Sequence, residues 1–255
     1  MSELRLNWQS PGPVATAFLR DKNFVSMILG PIGSGKSTTC VFKGLNKLKC
    51  QPVGTRTKIR RRRLGIIRQT YPELKTTTIR TWHEWLPATM GKWQAEGPPI
   101  HVVPFTLADG TLAELEAIFL ALESEDDLKK LLSLELSDAW LNEARESPEE
   151  IIKHLQGRVG RFPPASDGGC VEPQIWADSN FPDTEHWIPR NFEFNRPEGY
   201  GLHKQPSGRS PKAENIKNLP VGYYDRAAIG QDESYIRVFI DAMYGFTRHG
   251  KPVFP

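Results

Sequence analysis

The chain has 255 residues, a net charge of +3 and 38% hydrophobic residues, which suits one domain with a small lid rather than several domains. No apolar run approaches the roughly 20 residues of a membrane-spanning helix, and the first residues lack the apolar stretch of a signal peptide. The small net charge does not by itself indicate a nucleic-acid partner. Cys40, Cys50 and Cys170 are odd in number without metal-ligand spacing, so we expect reduced thiols in a cytosolic protein.

The first predicted elements surround the strongest motif of the sequence. Residues 14–20 predict a short helix, and the apolar, partly β-branched run at 24–29 predicts a buried strand. The next eight residues, 30–37, match the phosphate-binding pattern G-x-x-x-x-G-K-[ST]. Residues 37–45 predict a helix behind this P-loop. Strand, loop and helix therefore follow one another in the order that a nucleotide-binding loop requires.

The residue types of the P-loop each have a physical reason. Glycines allow a tight backbone whose N–H groups face a phosphate, and the helix dipole attracts the same anion. Lys36 can reach the β- and γ-phosphates, where its charge assists catalysis, and the Ser37 hydroxyl can bind Mg²⁺. We therefore predict that the nucleotide-binding residues here are Gly30, Pro31, Ile32, Gly33, Ser34, Gly35, Lys36, Ser37 and Thr38.

A basic run precedes the second predicted strand. Residues 56–63 contain six Lys or Arg side chains, and the strand is predicted over 63–68. A solvated face and contact with nucleic-acid phosphates are equally good interpretations of this run. In either case, we expect its last arginines to lie at the edge of a sheet.

The later elements are predicted from apolar periodicity and turn residues. Asp109-Gly110 predicts a hairpin between strands at 100–106 and 112–121, although the second arm also fits a helix. The other predicted elements are a helix ending at residues 85–87, a helix at 126–132, a strand at 139–141, a helix at 148–156, a strand at 174–177, a long loop or lid at 197–220, a helix at 223–229 and a last strand at 235–243.

Asn142 and Glu143 follow the strand at 139–141, where many P-loop ATPases carry the Walker B pair. Asn142 occupies the position of the usual aspartate, so it brings an amide but no charge to a metal. Glu143 is the candidate general base that would deprotonate water. The alternative is that Glu143 is an ordinary surface carboxylate after a strand.

Asp178, Ser179 and Asn180 follow the next strand. This is where a P-loop ATPase would place a γ-phosphate sensor, so Asn180 is a candidate for contact with the phosphate or the attacking water. Asp178 is a candidate supplement to the metal site. An Asx-type turn before Pro182 is an equally good interpretation of these residues.

Basic side chains that neutralise charge in the transition state are harder to choose. Arg158 and Arg161 are candidates because neighbouring glycines would allow them to be positioned. Arg145, Lys129 and Lys130 are further candidates. For any one of them a surface salt bridge is the more common role.

In chain order, residues 30–37, 65–82, 140–145, 157–163 and 178–184 together resemble one known family. They are similar to motifs of the ATPase domain of bacteriophage large terminases, the motors that package DNA. The resemblance covers nearly the whole chain. It implies an α/β fold of the RecA-like P-loop NTPase class (ASCE type), a three-layer sandwich with a mainly parallel central sheet and a small lid subdomain.

The resemblance also implies a division of the chain. We expect a P-loop ATPase core over residues 1–200, a lid subdomain with a final strand-like element over 201–245, and a linker over 246–255. Large terminases normally continue into a nuclease domain, whereas this sequence stops at Pro255. We therefore expect no nuclease activity in this chain.

The family further implies roles for single residues. Gln9 is the position that matches the glutamine used for adenine, and Ser179 and Asn180 match the motif that couples hydrolysis to movement. Ser37 and Asn142 match the metal positions, although the amide of Asn142 departs from the family's aspartate. An arginine from a neighbouring subunit is also expected, and no residue here matches it securely.

The activity implied by the resemblance is Mg²⁺-dependent hydrolysis of ATP coupled to translocation of double-stranded DNA into a capsid. The implied partners are the capsid portal, the small terminase subunit and further copies of the chain. These copies would form a ring on the portal, whereas the chain alone would be monomeric. The implied location is the host cell cytoplasm, with no membrane contact.

Three other functions are compatible with the sequence. The chain could be a nucleotide-gated DNA-binding or assembly module with little intrinsic turnover, because the activating arginine would come from a neighbour. It could be another P-loop DNA translocase or helicase. A small-molecule P-loop kinase is the weakest alternative, because the sequence shows no clear acceptor pocket.

Overall fold

A single mixed sheet organises the computed structural model, which describes residues 7–123 and 125–245. Its strands are β1 (Val25–Leu29), β2 (Arg60–Arg68), β3 (Lys92–Gln94), β4 (Ile100–Thr106), β5 (Leu112–Ala121), β6 (Asp138–Asn142), β7 (Gln174–Ser179) and β8 (Tyr200–Lys204). They lie in the order β3-β4-β5-β2-β6-β7-β1-β8. β4 pairs antiparallel with β3 and β5, and the other pairs are parallel, so the predicted mainly parallel sheet is confirmed.

Helical segments connect the strands. The α-helices are α1 (Pro13–Arg20), α2 (Lys36–Cys50), α3 (Tyr71–Glu73), α4 (Ile79–Trp85), α5 (Glu125–Leu132), α6 (Glu150–Gln156), α7 (Trp187–Pro189), α8 (Tyr223–Ala228) and α9 (Glu233–Tyr235). π-helical turns extend three of them at Leu74–Thr78, Arg190–Phe194 and Ile236–Ile240, and short 3₁₀ turns lie at Ala144–Glu146, Ala165–Asp167 and Ile216–Asn218. None of the helices in the described ranges is long and apolar enough to cross a membrane.

The core lies in two apolar layers, one on each face of the sheet. Successive side chains of β1 alternate between them: Met27 and Leu29 join one cluster, and Ile28 joins the other. Residues of α1, α2 and α4 pack on the face of Ile28, whereas α5, α6 and α7 pack on the opposite face. This arrangement confirms the predicted three-layer α/β sandwich.

The described elements confirm most of the predicted helices and strands. The hairpin about Asp109-Gly110 has strands on both sides, so the helical alternative for its second arm is wrong. Its second arm pairs with β4 on one side and β2 on the other, and two-sided pairing needs an extended backbone. The linker predicted at 246–255 lies outside the described residues.

The prediction of a long loop over 197–220 is wrong at Tyr200–Lys204. These residues form β8, which pairs in parallel with β1 at the edge of the central sheet. The boundary predicted at residue 200 therefore falls within a strand of that sheet. A short strand among Pro, Gly and Lys residues gives a weak periodic signal, because tertiary pairing rather than local preference stabilises it.

The last strand predicted at 235–243 is also wrong. The segment is helical from α9 into the turn Ile236–Ile240. Asp232 caps α9, because its carboxylate accepts a hydrogen bond from the backbone N–H of Tyr235 at 2.7 Å. β-branched and aromatic residues favour a strand, but this local capping signal and the burial of Val238 and Ile240 favour the helix.

The last four arginines of the basic run, residues 60–63, lie on β2, an interior strand rather than a sheet edge. β2 pairs with β5, which places Glu114 and Glu116 opposite Arg61 and Arg63, and with β6, which carries Asp138. The resulting ion pairs are Arg60–Asp109, Arg61–Glu114, Arg62–Asp138 and Arg63–Glu116. The expected position at the edge of the sheet is therefore wrong, because each guanidinium joins β2 to a neighbouring segment.

Candidate functional site

The P-loop connects the carboxyl end of β1 to the first turn of α2. Gly33 and Gly35 have positive φ angles of 70° and 81°, which glycine adopts without strain. Gly35 is the N-cap of α2 and has no side chain, so side-chain capping does not block the helix N-terminus. These features leave backbone N–H groups available for an anion.

Lys36 is buried and folds back onto the loop. Its Nζ donates hydrogen bonds to the carbonyl oxygens of Gly30 and Pro31, at 3.0 and 2.8 Å. Burial lowers the pKa of Lys36, whereas the nearby carboxylates of Glu143 and Asp178 act in the opposite direction. To reach a phosphate, this ammonium must exchange two carbonyl partners for anionic oxygens.

Parallel pairing brings the ends of β6, β7 and β1 to the same edge of the sheet as the P-loop. Asn142 is paired with Asp178, and Leu29 with Ser179. The Ser37 hydroxyl donates to the Asp178 carboxylate at 2.9 Å. The two strand-end motifs and the P-loop thus form one site.

The donor chemistry of this site fits Mg²⁺. Mg²⁺ takes oxygen ligands and keeps several waters, so one or two protein oxygens beside substrate phosphates are sufficient. The Ser37 hydroxyl and the Asp178 carboxylate are such oxygens. Within residues 7–123 and 125–245, there is no cluster of three His, Cys, Asp or Glu residues that would form an all-protein metal cage.

Asn142, the other predicted metal residue, lies beside this pair. Its Oδ1 accepts a hydrogen bond from Thr78 Oγ1 at 2.6 Å, and its Nδ2 donates to the Asp178 carboxylate at 3.0 and 3.1 Å. The structure therefore brings Asn142 to the predicted site, but the ligating atom of its amide faces Thr78.

Glu143 follows β6 directly and has an unusual backbone. Its φ of 52° lies in the left-handed region, which costs energy for a residue with a side chain. Burial raises the pKa of Glu143 to about 6; Asp178 also raises it, while Lys36 and Arg68 lower it. A carboxylate with a pKa near 6 is suited to accept a proton near neutral pH.

Asn180 is buried and contacts the P-loop. Its Nδ2 donates to the carbonyl oxygen of Gly30 at 2.8 Å, and the carbonyl oxygen of Ser179 accepts from the N–H of Gly30 at 3.1 Å. The end of β7 therefore holds the first residue of the P-loop. This contact favours the sensor interpretation of Asn180 over a local turn, since its amide nitrogen bonds across the site.

Gln9 and Thr38 line a cavity of about 590 Å³ next to the P-loop. Trp8, Gly35 and Trp85 also line it. Its mostly polar and aromatic walls suit a base and a ribose. The position expected for adenine is thus connected directly to the phosphate loop.

Residues 205–245 also contact the P-loop, and Asn215 among them lines the same cavity as Gln9. The Asn215 amide donates to the carbonyl oxygen of Gly33 at 2.7 Å, and the Tyr224 hydroxyl donates to that of Ile32 at 2.8 Å. The N–H of Ile32 donates to the carbonyl oxygen of Phe239 at 2.8 Å. The region predicted as a lid therefore holds the backbone of the loop.

The predicted catalytic arginines lie at the opposite edge of the sheet. The N–H of Leu136, just before β6, donates to the carbonyl oxygen of Arg158, and the N–H of Arg161 donates to that of Leu136. This places Arg158 and Arg161 near the amino end of β6, whereas the P-loop lies beyond the carboxyl ends of the strands. Their predicted part in neutralising transition-state charge stays a prediction.

Arg145 lies at the P-loop edge instead. It is two residues beyond Glu143, and its guanidinium lies over the Phe239 ring at 5.1 Å from the centroid. Burial lowers the pKa of Arg145, while Glu143 opposes that shift. Of the basic candidates considered from the sequence, Arg145 is therefore the one that lies beside the predicted base.

Sequence reasoning missed Thr78 and Gln205. Gln205, at the end of β8, accepts from the Ser34 hydroxyl at 2.7 Å and donates to the Glu214 carboxylate at 2.8 Å. Glu214 in turn accepts hydrogen bonds from the backbone at the start of α1. Gln205 reaches the P-loop, and Thr78 reaches Asn142, from distant parts of the chain, so neither contact leaves a local pattern.

No family model and no curated protein matches the sequence. Solved structures do match. The large terminase of a thermophilic bacteriophage superimposes with a TM-score of 0.65 at 13% identity, over 93% of this chain and 54% of that protein. The large terminase ATPase domain of Thermus phage P74-26 gives 0.53 at 14% identity, over 92% and 94%. The large terminase of bacteriophage HK97 gives 0.52 at 11% identity, over 94% and 51%.

The chain spans about half the length of the first and third of these proteins and nearly all of the second. At such low identity the superposition establishes the fold. The chain has the fold of large terminase ATPase domains, which confirms the predicted RecA-like α/β class.

Proposed function

We propose that this chain is the ATPase domain of a bacteriophage large terminase and hydrolyses ATP to move double-stranded DNA into a capsid. The observation that carries the proposal is the position of Glu143. In a fold shared with terminase ATPase domains, this carboxylate with a raised pKa lies at the sheet edge that holds the P-loop lysine.

The proposed nucleotide lies along the P-loop with its base in the cavity of Gln9. Structures of the thermophilic phage terminase include complexes with ADP and with ATP-gamma-S, which supports an adenine nucleotide as the ligand here. The N-terminus of α2 would hold the phosphates, and Lys36 would leave the carbonyl oxygens of Gly30 and Pro31 for the β- and γ-phosphates.

Ser37 would hold Mg²⁺, which when bound neutralises charge on the phosphate oxygens. The chain's own residues would do the rest. Glu143 would take the proton from the attacking water, and its pKa near 6 leaves it ionised at neutral pH. Asn180 would report the state of the γ-phosphate to the loop through its bond to Gly30.

The proposed partners are double-stranded DNA, the capsid portal, the small terminase subunit and further copies of the chain in a ring on the portal. The proposed location is the host cytoplasm. These assignments rest on the shared fold and on the resemblance of the motifs, since large terminases provide the structural matches.

Replacement of the base tests the ATPase proposal. We expect Glu143→Ala to lower ATP turnover by about 10²–10⁴-fold while binding of a fluorescent ATP analogue persists, because the P-loop is unchanged. Glu150→Gln removes an exposed carboxylate on α6 and is the matched control. Normal turnover in Glu143→Ala, or loss in both variants, would contradict the assignment of Glu143.

A second candidate function is a nucleotide-gated module with little turnover of its own. Two observations favour it: Lys36 bonds to loop carbonyl oxygens, and Arg158 and Arg161 lie away from the P-loop. Such a chain would bind nucleotide and change its contacts without hydrolysis. The dependence of turnover on chain concentration separates the two functions.

A further inference from the structure

The end of β6 carries an amide where a carboxylate would supply charge to a metal. The orientation of that amide follows from its neighbours. Nδ2 of Asn142 faces the Asp178 carboxylate at 3.0 and 3.1 Å, and Oδ1 accepts from Thr78. The reverse orientation would set the amide oxygen against two carboxylate oxygens, so electrostatics maintains the observed one.

This orientation prevents Asn142 from serving as a metal ligand. An amide nitrogen does not ligate Mg²⁺, which takes oxygen. Asn142 Nδ2 also lies 3.4 Å from the Ser37 hydroxyl, on the side where the metal would be bound. The oxygen of Asn142 is bonded to Thr78 on the other side of the amide.

Asp178, on the neighbouring strand, has the properties that Asn142 lacks. Its carboxylate is fully buried and accepts hydrogen bonds from Ser37 Oγ at 2.9 Å and from Trp140 Nε1 at 2.7 Å. The side chains that donate hydrogen bonds to it, Ser37, Trp140 and Asn142, are all neutral, and the Lys36 ammonium is near enough to interact with it electrostatically. A buried carboxylate with neutral partners gains strongly from a nearby cation.

We propose that the carboxylate of the Mg²⁺ site comes from β7, as Asp178, instead of from β6, and that Asn142 is a positioning residue that orients it. This inference rests on the proposed function, because the metal accompanies the nucleotide. Trp140 and Asn142 hold the carboxylate against Ser37, and Thr78 holds Asn142 in turn. Asp178 on β7 thus takes the role that an aspartate at position 142 on β6 would have.

An exchange of the two side chains tests the proposal. The readout is the affinity for a fluorescent ATP analogue in Mg²⁺ and in EDTA, together with Mn²⁺ binding to the nucleotide complex by electron paramagnetic resonance. We expect Asp178→Asn to abolish the difference between Mg²⁺ and EDTA while the affinity in EDTA persists. The double variant Asn142→Asp with Asp178→Asn returns a carboxylate to the site and should restore the metal dependence.

Two further variants complete the test. Asp183→Asn removes a carboxylate just beyond β7 and should leave the metal dependence unchanged. Asn142→Ala keeps the Asp178 carboxylate but removes the amide that orients it. We therefore expect Mn²⁺ to bind about tenfold more weakly, while the nucleotide affinity still depends on the metal. Circular dichroism shows whether each variant is folded.

Wild-type metal dependence in Asp178→Asn, or its complete loss in Asn142→Ala, would overturn the proposal. If Asp178→Asn does not fold, the Asn142→Ala result alone decides. A wild-type chain that binds no nucleotide in either Mg²⁺ or EDTA would instead contradict the proposed function. The two failures are therefore distinguishable.

Discussion

Two features of Glu143 each lower the free energy of unfolding. Its backbone has a positive φ, and its carboxylate lies where burial raises the pKa to about 6. Strained backbones and shifted pKa values concentrate at functional sites because the surrounding structure stabilises them for the sake of chemistry. The β6 strand and the turn Ala144–Glu146 hold Glu143 between them.

The raised pKa of Glu143 predicts how turnover depends on pH. A general base acts when it is deprotonated, so turnover should rise as the pH increases through about 6. The measurement is the steady-state rate of phosphate release between pH 5 and pH 8, at saturating nucleotide. A rate that is flat over this range would show that Glu143 is not the titrating base.

The same pKa predicts an effect on stability. A carboxyl group whose pKa is higher in the folded state stabilises the fold below its unfolded pKa of 4.5, and this stability is lost as the pH rises through about 6. Glu143→Gln should therefore raise the melting temperature at pH 8. We expect roughly 2–4 °C for each kcal/mol that removal of the buried charge adds to the free energy of unfolding. At pH 4 the variant and the wild type should melt alike. Equal shifts at both pH values would contradict this account.

At the residue scale, the sequence identified Glu143 and Asn180 because each follows a predicted strand, and parallel strands end at one edge of a sheet. The orientation of the Asn142 amide could not be predicted from the sequence, because that orientation depends on contacts with Thr78 and Asp178. Gln205 was missed because its partner Ser34 lies 171 residues away in the chain. Contacts of this kind depend on packing and leave no local pattern.

At the scale of elements, β2 carries arginines inside the sheet because Arg61, Arg62 and Arg63 form ion pairs with acids on the two neighbouring strands. The Arg62–Asp138 pair is the extreme case, with side-chain exposures of 0% and 2% and two short hydrogen bonds, at 2.6 and 2.8 Å. A paired buried charge is tolerated, whereas a single buried charge is strongly destabilising.

Removal of one partner should therefore destabilise the fold. We expect Arg62→Met to lower the free energy of unfolding by about 3–5 kcal/mol, measured by urea denaturation, because it leaves the Asp138 carboxylate buried. The double variant Arg62→Met with Asp138→Leu should recover part of the loss. Lys22→Ala breaks an exposed ion pair with Glu172 and serves as the control, with no measurable change expected. A double variant less stable than Arg62→Met would contradict the argument.

Two other arginines of β2, Arg61 and Arg63, predict a result for DNA binding. Arg61 and Arg63 pair with Glu114 and Glu116, and both guanidiniums lie over the Phe162 ring. We expect Arg61→Gln with Arg63→Gln to leave the salt dependence of DNA affinity unchanged, since these charges are already paired. A slope that falls by about one for each arginine would show that they contact phosphates. The measurement is affinity against salt concentration by fluorescence anisotropy.

Strands buried on both faces could be predicted from the sequence, whereas β8 and the helical segment at residues 236–240 could not. The apolar run of β1 is buried along its whole length, as the sequence suggested. β8 lies at the edge of the sheet, so fewer of its residues are buried and its pattern is weak. Residues 236–240 contain strand-forming side chains, yet the cap at Asp232 and the packing of Val238 favour a helix.

At the scale of the whole molecule, the proposed function predicts that a neighbouring subunit supplies a basic group to the site. Arg158 lies near the amino end of β6, away from the P-loop of its own chain. We expect ATP turnover per chain to rise with chain concentration and to increase further with DNA, because association would bring an arginine to each site. The measurement is phosphate release over a range of concentrations, with sedimentation of the same samples.

Turnover per chain that is constant and substantial at all concentrations would indicate that Arg145 or another residue of the same chain is sufficient. Turnover near zero under every condition, with nucleotide bound, would favour the gated module. Arg158→Ala, mixed with wild-type chains, shows whether that arginine is the one supplied in trans. Arg20, at the end of α1, is a basic control away from both regions.

The order of the strands also has a consequence for biosynthesis. β1 carries the P-loop, yet both of its neighbours, β7 and β8, come from residues 174–204. Until a ribosome has released those residues, β1 has no partner for its backbone and its apolar side chains remain unprotected. We expect the nascent chain to acquire protease resistance at β1 only after β8 has emerged, although β1 is synthesised before the other strands of the sheet.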